Sequence, residues 1–545
     1  MKTLFKNVYV PDFDNDKFFK TNVAITGDEI TSISSSEEKA DAVYDFNKYY
    51  LIPGFIDCHT HIESSHLAPF VYGDIVARQG TLHVITDNHE IANVGGMEAL
   101  QYFFNDAKKS RCNIKFAVPS CVPATFFATS GATLTVENIC SLLKRPDVVS
   151  LGELMNVPAV VGGDSTFIQM IKKAKKLKKI VNGHAPGIKS EDLRKYVAAG
   201  VTDDHESETY EEIKEKIEAG LNVFLREGSA EHTQSNAYKL IDEYPDKIMF
   251  CTDDKTLTHI MDNGHIVYNV NKALDLGVKP INAIRASSYN GLTYYGMKEY
   301  SEIKPGNKAS FIICRINTAV NIEEIYIKGN RLDTNIENKI RTNPPLLLQN
   351  SMNIDKQHKV PEIVSDKLCI KVNDGSLITE KINTDFNVFD TSKDILKLCV
   401  FERYGNGYKS ACKINGFGIN KGAIASSIAH DCHNIVAVGT SDKYILEVVN
   451  SIIENKGGLA AFDGKNLKIL PLEIGGLITN TEYKIHYNKL KEIYKMIQEM
   501  GTNLTDPFGT LSFMALEVIP HIKLTDKGLF DVDSFSFIKK KSRLN

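Results

Sequence analysis

His59 and His61 stand one residue apart at the end of an apolar run that opens at Leu51. In an extended strand alternate side chains share a face, so the two imidazoles project together and can hold one divalent cation. The same pair also occurs as a polar cap on a strand end, and an isolated His-x-His does not separate the two readings. Residues further along the chain do. Glu153, His184, His205 and Asp253 each close an apolar run of their own. Four neutral imidazoles and two carboxylates can bind two divalent cations, with Glu153 bridging through its two oxygens. A zinc ion in such a centre lowers the pKa of its water to about 7, which predicts hydrolytic attack on an electrophilic carbon. Asp253, close to the nucleophile, is the expected proton carrier between water and leaving group; Asp254 either shares that role or bonds loop amides.

These side chains cluster only if the elements beneath them do. After the first run come Thr81–Asp87, Ile114–Ser120, Val148–Glu153, Lys179–His184, Val201–His205, Asn222–Glu227 and Ile248–Asp253, eight strand-like runs in all. Between them lie stretches such as Thr166–Leu177, with apolar residues at helical spacing and lysines on the other face. Parallel strands need crossovers of about a dozen residues or more, and the intervals suit one helix each. The expected architecture is α/β, a TIM (β/α)8 barrel whose site lies at the C-terminal ends of its strands.

The residues at those ends resemble the amidohydrolase superfamily, through Pro53-Gly-Phe-Ile-Asp-Cys-His-Thr-His61. The resemblance narrows to bacterial-type adenine deaminases through Asp87-Asn-His-Glu-Ile-Ala-Asn-Val94, Gly152-Glu-Leu-Met-Asn-Val-Pro158, Gly183-His-Ala-Pro-Gly187, Leu225-Arg-Glu-Gly-Ser-Ala230 and Cys251-Thr-Asp-Asp254. It continues in the C-terminal region through Lys421 to Asn434 and Leu524 to Leu529, and so covers nearly the whole chain. Glu153 separates the chain from dihydroorotase- and hydantoinase-like relatives, which place a carbamylated lysine at the fourth strand. The resemblance implies hydrolysis of adenine to hypoxanthine and ammonia in purine salvage. Metal-bound hydroxide would attack C6, with Asp253, Glu153 and His89 as catalytic residues. It also implies two divalent ions held by His59, His61, Glu153, His184, His205 and Asp253, with Mn(2+) or Fe(2+) favoured and Zn(2+) compatible.

Glu90, Arg226, Glu227, Ser229 and Asp254 are the further candidates for substrate contact; alternatively they brace the ligating histidines. The chain departs from the family pattern at Asn88, where proline is expected, at Tyr404, where histidine is expected, and at Ser310, where aspartate is usual. An enzyme acting on a different cyclic amine or amide, or a non-catalytic scaffold on the same barrel, are the alternatives. The scaffold reading requires missing ligands.

At 545 residues the chain exceeds one barrel of about 250 residues. Alternating segments at Val8–Val10 and Asn22–Ile33 stop where the barrel begins and resume at Ala309–Cys314 and Ile325–Arg331. They predict a discontinuous small β-sandwich domain from residues 1–50 and 300–340, with the barrel over 51–299 inserted in it. A boundary is expected between Asn338 and Lys359, where Pro344 and Pro345 interrupt regular structure, followed by a C-terminal α/β domain over 360–545. Helical patterns there span Lys443–Glu454 and Tyr483–Met500. His430 and His433 resemble a second metal site, but no matching further ligands accompany them, and a structural or domain-contact role is preferred.

Ten cysteines without a C-x-x-C pair predict reduced, mostly buried thiols. No apolar run approaches the ~20 residues of a membrane span, and Asp12, Asp14 and Asp16 precede any signal-peptide core, so a cytoplasmic enzyme is expected. A net charge of -4 with both signs dispersed offers no field for a polyanion, and the basic run Lys539–Arg543 reads as a solvated tail. The zinc signature of polynucleotide deaminases is absent. The expected partner is a small molecule, adenine, with no nucleic acid or membrane; a homodimer or larger homo-oligomer is the default assembly.

Overall fold

Eight short parallel strands end where the candidate ligands sit. They are β1 (Phe55–Thr60), β2 (Thr81–Asp87), β3 (Asn113–Val118), β4 (Val148–Leu154), β5 (Ile180–Gly183), β6 (Asp203–Asp204), β7 (Asn222–Arg226) and β8 (Ile248–Cys251). The computed structural model describes residues 1–36, 38–333 and 342–538. The basic run at 539–543 and the start of the expected boundary at Asn338 lie outside the described residues.

Hydrogen bonding orders the strands in two arcs, β5-β4-β3-β2-β1 and β6-β7-β8. Main-chain bonds cross both gaps between the arcs. Thr202 N donates to Val181 O (3.1 Å) beside β5 and β6, and Asp253 N donates to His59 O (3.0 Å) beside β8 and β1. The sixth strand is shorter than its apolar run because carboxylates replace part of its ladder. Asp203 accepts from Gly183 N (3.0 Å) and Asp204 from Ala185 N (2.9 Å), satisfying amides that a longer strand would pair.

The helices between strands follow local rules. In Ser165–Lys176 the Asp164 side chain caps Thr166 N, Met170, Ile171 and Ala174 are buried, and Lys173, Lys175 and Lys176 fall in the last turn. Those lysines oppose the negative end of the helix dipole.

The flanking β-segments meet in one eight-stranded sheet. Tyr50–Pro53 pairs with Phe311–Ile316 on one side and touches Lys2–Asp12 on the other, so the chain leaves this sheet just before β1 and returns after the last helices. Phe5 stands edge-on to Phe311 (5.4 Å between centroids) in its core.

The C-terminal region contains a second eight-stranded sheet. Alternation along Leu396–Phe401 sends Leu398 and Val400 toward the helix Tyr483–Glu499, and Cys399 and Phe401 toward the helix Asp442–Glu454. Each face of the sheet is therefore covered by a helix. This region packs on the ligand-bearing end of the strands. Phe127 contacts Phe530 (4.5 Å between centroids), Thr125 Oγ1 donates to Glu517 (2.6 Å), and Thr129 Oγ1 donates to Asp526 (2.6 Å). His66, five residues past His61, faces His486 with Nδ1 and Nε2 3.1 Å apart.

Two predictions arise from these contacts. A Cβ at Gly183 would lie 2.2 Å from Asp203 O, so Gly183→Ala must spread β5 from β6. Urea unfolding is expected to show a loss of about 1–3 kcal/mol. Burial depresses His66 from 6.5 to about 4, so as pH falls through that window the unfolded chain takes up this proton first and the site's contribution to stability is lost. The stability advantage of wild type over His66→Gln is expected to shrink between about pH 7 and about pH 5. An advantage that stays constant with pH would exclude this linkage.

Candidate metal centre

Strand periodicity puts His59 and His61 on one face of β1, and the gap between β8 and β1 brings Asp253 to them. His61 N donates to Asp253 O (3.2 Å) and Thr60 Oγ1 to the same oxygen (2.9 Å). Asp253 takes a φ of 53° there, a conformation rare for a residue with a Cβ. Its side chain is thereby turned back to the imidazoles: Oδ1 lies 3.0 Å from His61 Nε2 and 3.6 Å from His59 Nε2. Glu153 Oε1, from β4, lies 2.9 Å and 3.0 Å from the same two nitrogens.

The other oxygen of Glu153 faces a different set. His184 Nδ1 lies 2.7 Å from Oε2 and His205 Nε2 lies 3.8 Å from it. Glu206 completes this side, with Oε1 3.7 Å from His184 Nδ1 and 3.6 Å from His205 Nε2. The six predicted ligands thus converge, all buried, with Glu153 between two nests of donors.

The donor chemistry fits cations. His59 Nε2 and His61 Nε2 face each other at 3.2 Å, and Glu153 Oε1 and both ring nitrogens of His184 and His205 have no hydrogen-bond partner. Burial alone would push the His59 imidazole down; the Glu153 and Asp253 carboxylates outweigh it and raise it to about 10. Burial penalises the Glu153 carboxylate, and the surrounding imidazoles reverse this and hold it well below its usual range. Nitrogens and anionic oxygens gathered in this way attract positive charge, which a divalent cation can supply in place of protons.

Beneath the ligands a layer of carboxylates fixes the strand ends. Asp87 accepts from Glu153 N (3.0 Å), and Gly152 is needed for that approach, since its Cβ would fall 2.0 Å from Asp87 Oδ2. His61 Nδ1 donates to Asp87 O (2.9 Å), which leaves Nε2 free to ligate. Asp57 on β1 accepts from Thr252 N (3.0 Å) beyond β8. Burial opposes the charge on Asp204, but Lys216 at 2.7 Å prevails and lowers the carboxyl to about 2.

The remaining candidates divide. His89 stands over this layer, Nδ1 3.4 Å from Asp87 Oδ1 and Nε2 3.3 Å from Glu90 Oε1, with its ring 4.6 Å from that of His61. Arg226 ion-pairs with Asp253, Glu206 and Glu231. Asp254 accepts from Ser64 Oγ. Glu227 instead turns to Lys272 (2.8 Å), His232 (3.0 Å) and Gln234 N (3.0 Å), and Ser229 to His259 Nδ1 (2.7 Å) and Thr256 N (2.8 Å). Glu90 is clamped between His430 Nδ1 and His433 Nε2 from the C-terminal region. Asp431 Oδ1 lies 3.6 Å from His89 Nε2. Sequence reasoning missed Glu206, Glu231 and Asp431 as members of the site; Glu206 directly follows the predicted ligand His205, and Asp431 sits inside the His-Asp-Cys-His motif. Asn88 Nδ2 donates to Glu63, and Tyr404 OH donates to Cys432 O (2.6 Å).

The sequence pattern described as the Amidohydrolase family matches residues 50–332, and that of the Adenine deaminase C-terminal domain matches residues 374–536. The chain is 38% identical to an adenine deaminase of Methanosarcina mazei over 543 residues, 95% of this chain and 96% of the relative. An adenine deaminase of Methanosarcina barkeri is 38% identical, covering 96% of both chains, and one of Halalkalibacterium halodurans is 36% identical, covering 99% and 95%. The chain belongs to the amidohydrolase family and, within it, to the adenine deaminases.

Arg226 is buried among Asp253, Glu206 and Glu231. Its replacement by leucine would leave these carboxylates without a cation, and a loss of about 3–5 kcal/mol is expected in denaturant unfolding. Arg226→Lys should recover only part of it, because a point charge cannot span the three partners.

Proposed function

We propose that the chain hydrolyses adenine to hypoxanthine and ammonia, with two divalent cations held by His59, His61, Glu153, His184, His205 and Asp253. The observation that carries this reading is the division of Glu153, whose two oxygens face separate sets of donors. The identity of the substrate is supported by adenine deaminases that match along almost the entire chain. Imidazole with carboxylate suits manganese, iron or zinc, and the first two are preferred here. Cations in this centre supply Lewis acidity, which makes water nucleophilic at neutral pH.

The protein's own groups handle the protons. Asp253 stays ionised because Arg226, in contact with its Oδ2, outweighs the cost of burial. With Oδ1 turned to the centre, it can accept a proton from the attacking water and return it to the leaving amine. His89, between Asp87, Glu90 and Asp431, is positioned to hold a proton toward a ring nitrogen of the substrate. Asp254 is the remaining candidate for direct substrate contact. Glu90 and Arg226 brace these groups, as their partners favour, whereas the side chains of Glu227 and Ser229 bond residues outside the centre.

The wider reading is that the two strand arcs close as one (β/α)8 barrel inserted in a β-sandwich formed by the shared sheet, followed by a separate C-terminal α/β domain. Bonds across both gaps and the shared pairing of Tyr50–Pro53 support it. Free cysteines, nine of the ten buried, are consistent with a reducing cytoplasm. Among the described residues no helix is long and apolar enough to cross a membrane.

Chelated protein reloaded with manganese, iron or zinc should regain ammonia release with loss of adenine absorbance. Asp253→Asn should lower turnover by about 10²–10⁴-fold. Two bound metals without ammonia from adenine would reject this substrate and direct assays to other cyclic amines and amides.

A further inference from the structure

Between the strand ends and the C-terminal region lies a cavity of about 50 Å³. Ser64, Asp254 and Thr256 line it from the strand ends, and Ile428, His430 and Phe513 from the C-terminal region. The cavity adjoins the cation-competent centre through two short links. Asp254 follows Asp253 in the chain, and Glu90 contacts both His89 and His430. The space is above the ~10–15 Å³ that one water needs and it adjoins the centre, so it suits one end of a base whose other end is at the centre.

His430 is held in place from two directions. Its ring stacks on Phe513 with centroids 4.3 Å apart and 16° between planes, and its Nδ1 is bonded to Glu90. Nε2 is the nitrogen left for a ligand. Asp254, held by Ser64, lines the same cavity. Polar groups at the edges and Ile428 and Phe513 beside them are what a flat heteroaromatic ring requires: hydrogen bonds in its plane and apolar contact on its faces.

We propose that this cavity receives the end of the nucleobase remote from the departing amine, with His430 as a specificity-determining residue that reads a ring nitrogen. The inference rests on the deaminase reading and adds to it a residue from outside the strand-and-helix units. A base lacking the nitrogen would leave a buried polar group unpaired, which sets the discrimination.

The test uses the manganese-loaded full-length protein, with KM and kcat for adenine, inhibition by 3-deazaadenine and 7-deazaadenine, and metal content. His430→Phe keeps the stack on Phe513 and removes the nitrogens; Ile428→Trp fills the cavity without touching Glu90. Both variants should retain wild-type metal content and raise KM about ten- to hundredfold. His430→Phe should also erase the wild-type preference for adenine over 3-deazaadenine, whose altered position is remote from the amine, and leave that over 7-deazaadenine, whose altered position adjoins it. Unchanged KM and unchanged preference in both variants would overturn the proposal. So would loss of metal from His430→Phe, which would move that residue into the cation centre. Absence of adenine turnover in the wild-type holoenzyme would instead reject the deaminase reading itself.

Discussion

The site depends on the bond between the last strand and the first. Asp253 N donates to His59 O, and His61 N donates to Asp253 O, so one residue's main chain bridges the two histidines of β1's end. The side chain then has little choice of direction, because the φ of 53° that permits these bonds also turns the carboxylate inward. Assembly of the centre and alignment of β8 with β1 are therefore one event. A residue that pairs correctly along the strand gap is already placed for chemistry, as pre-organised sites require.

Concentrating so many ionisable groups in one buried region is costly unless every charge is matched. The chain meets this with a layer of carboxylates below the ligands. Asp57, Asp203 and Asp204 each accept from a main-chain amide of a neighbouring strand or the loop after it, and Asp87 reaches past β3 to an amide of β4, so these carboxylates act as strand connectors as well as electrostatic partners. Gly152 and Gly183 occur where this layer passes closest to the backbone. Two buried cations, Arg226 and Lys216, balance the outer and inner carboxylates.

Much of this was legible in the sequence because it is local. Strand periodicity marks His59 and His61, and the ends of apolar runs mark Glu153, His184, His205 and Asp253. Thr81–Asp87 forms a strand with the expected bounds, and both C-terminal helices begin within one residue of the expected start. What was not legible depends on tertiary packing. The apolar run Val201–His205 reads as a full strand, yet only Asp203 and Asp204 pair, because their side chains satisfy amides of β5 and the loop after it. Arg226 reads as a rim residue open to substrate, whereas three carboxylates from separate positions surround it. His430 and His433 lacked an evident partner since Glu90 lies some 340 positions earlier in the chain.

That distant partnership has a consequence for inheritance. Glu90 and His89 belong to the amidohydrolase portion, and the two imidazoles that clamp Glu90 belong to the C-terminal portion. A recombination breakpoint between them would leave an acid in one parent's segment dependent on bases from the other's. The two portions are therefore constrained to descend together, and exchange between lineages preserves the centre only when both parents carry the same clasp.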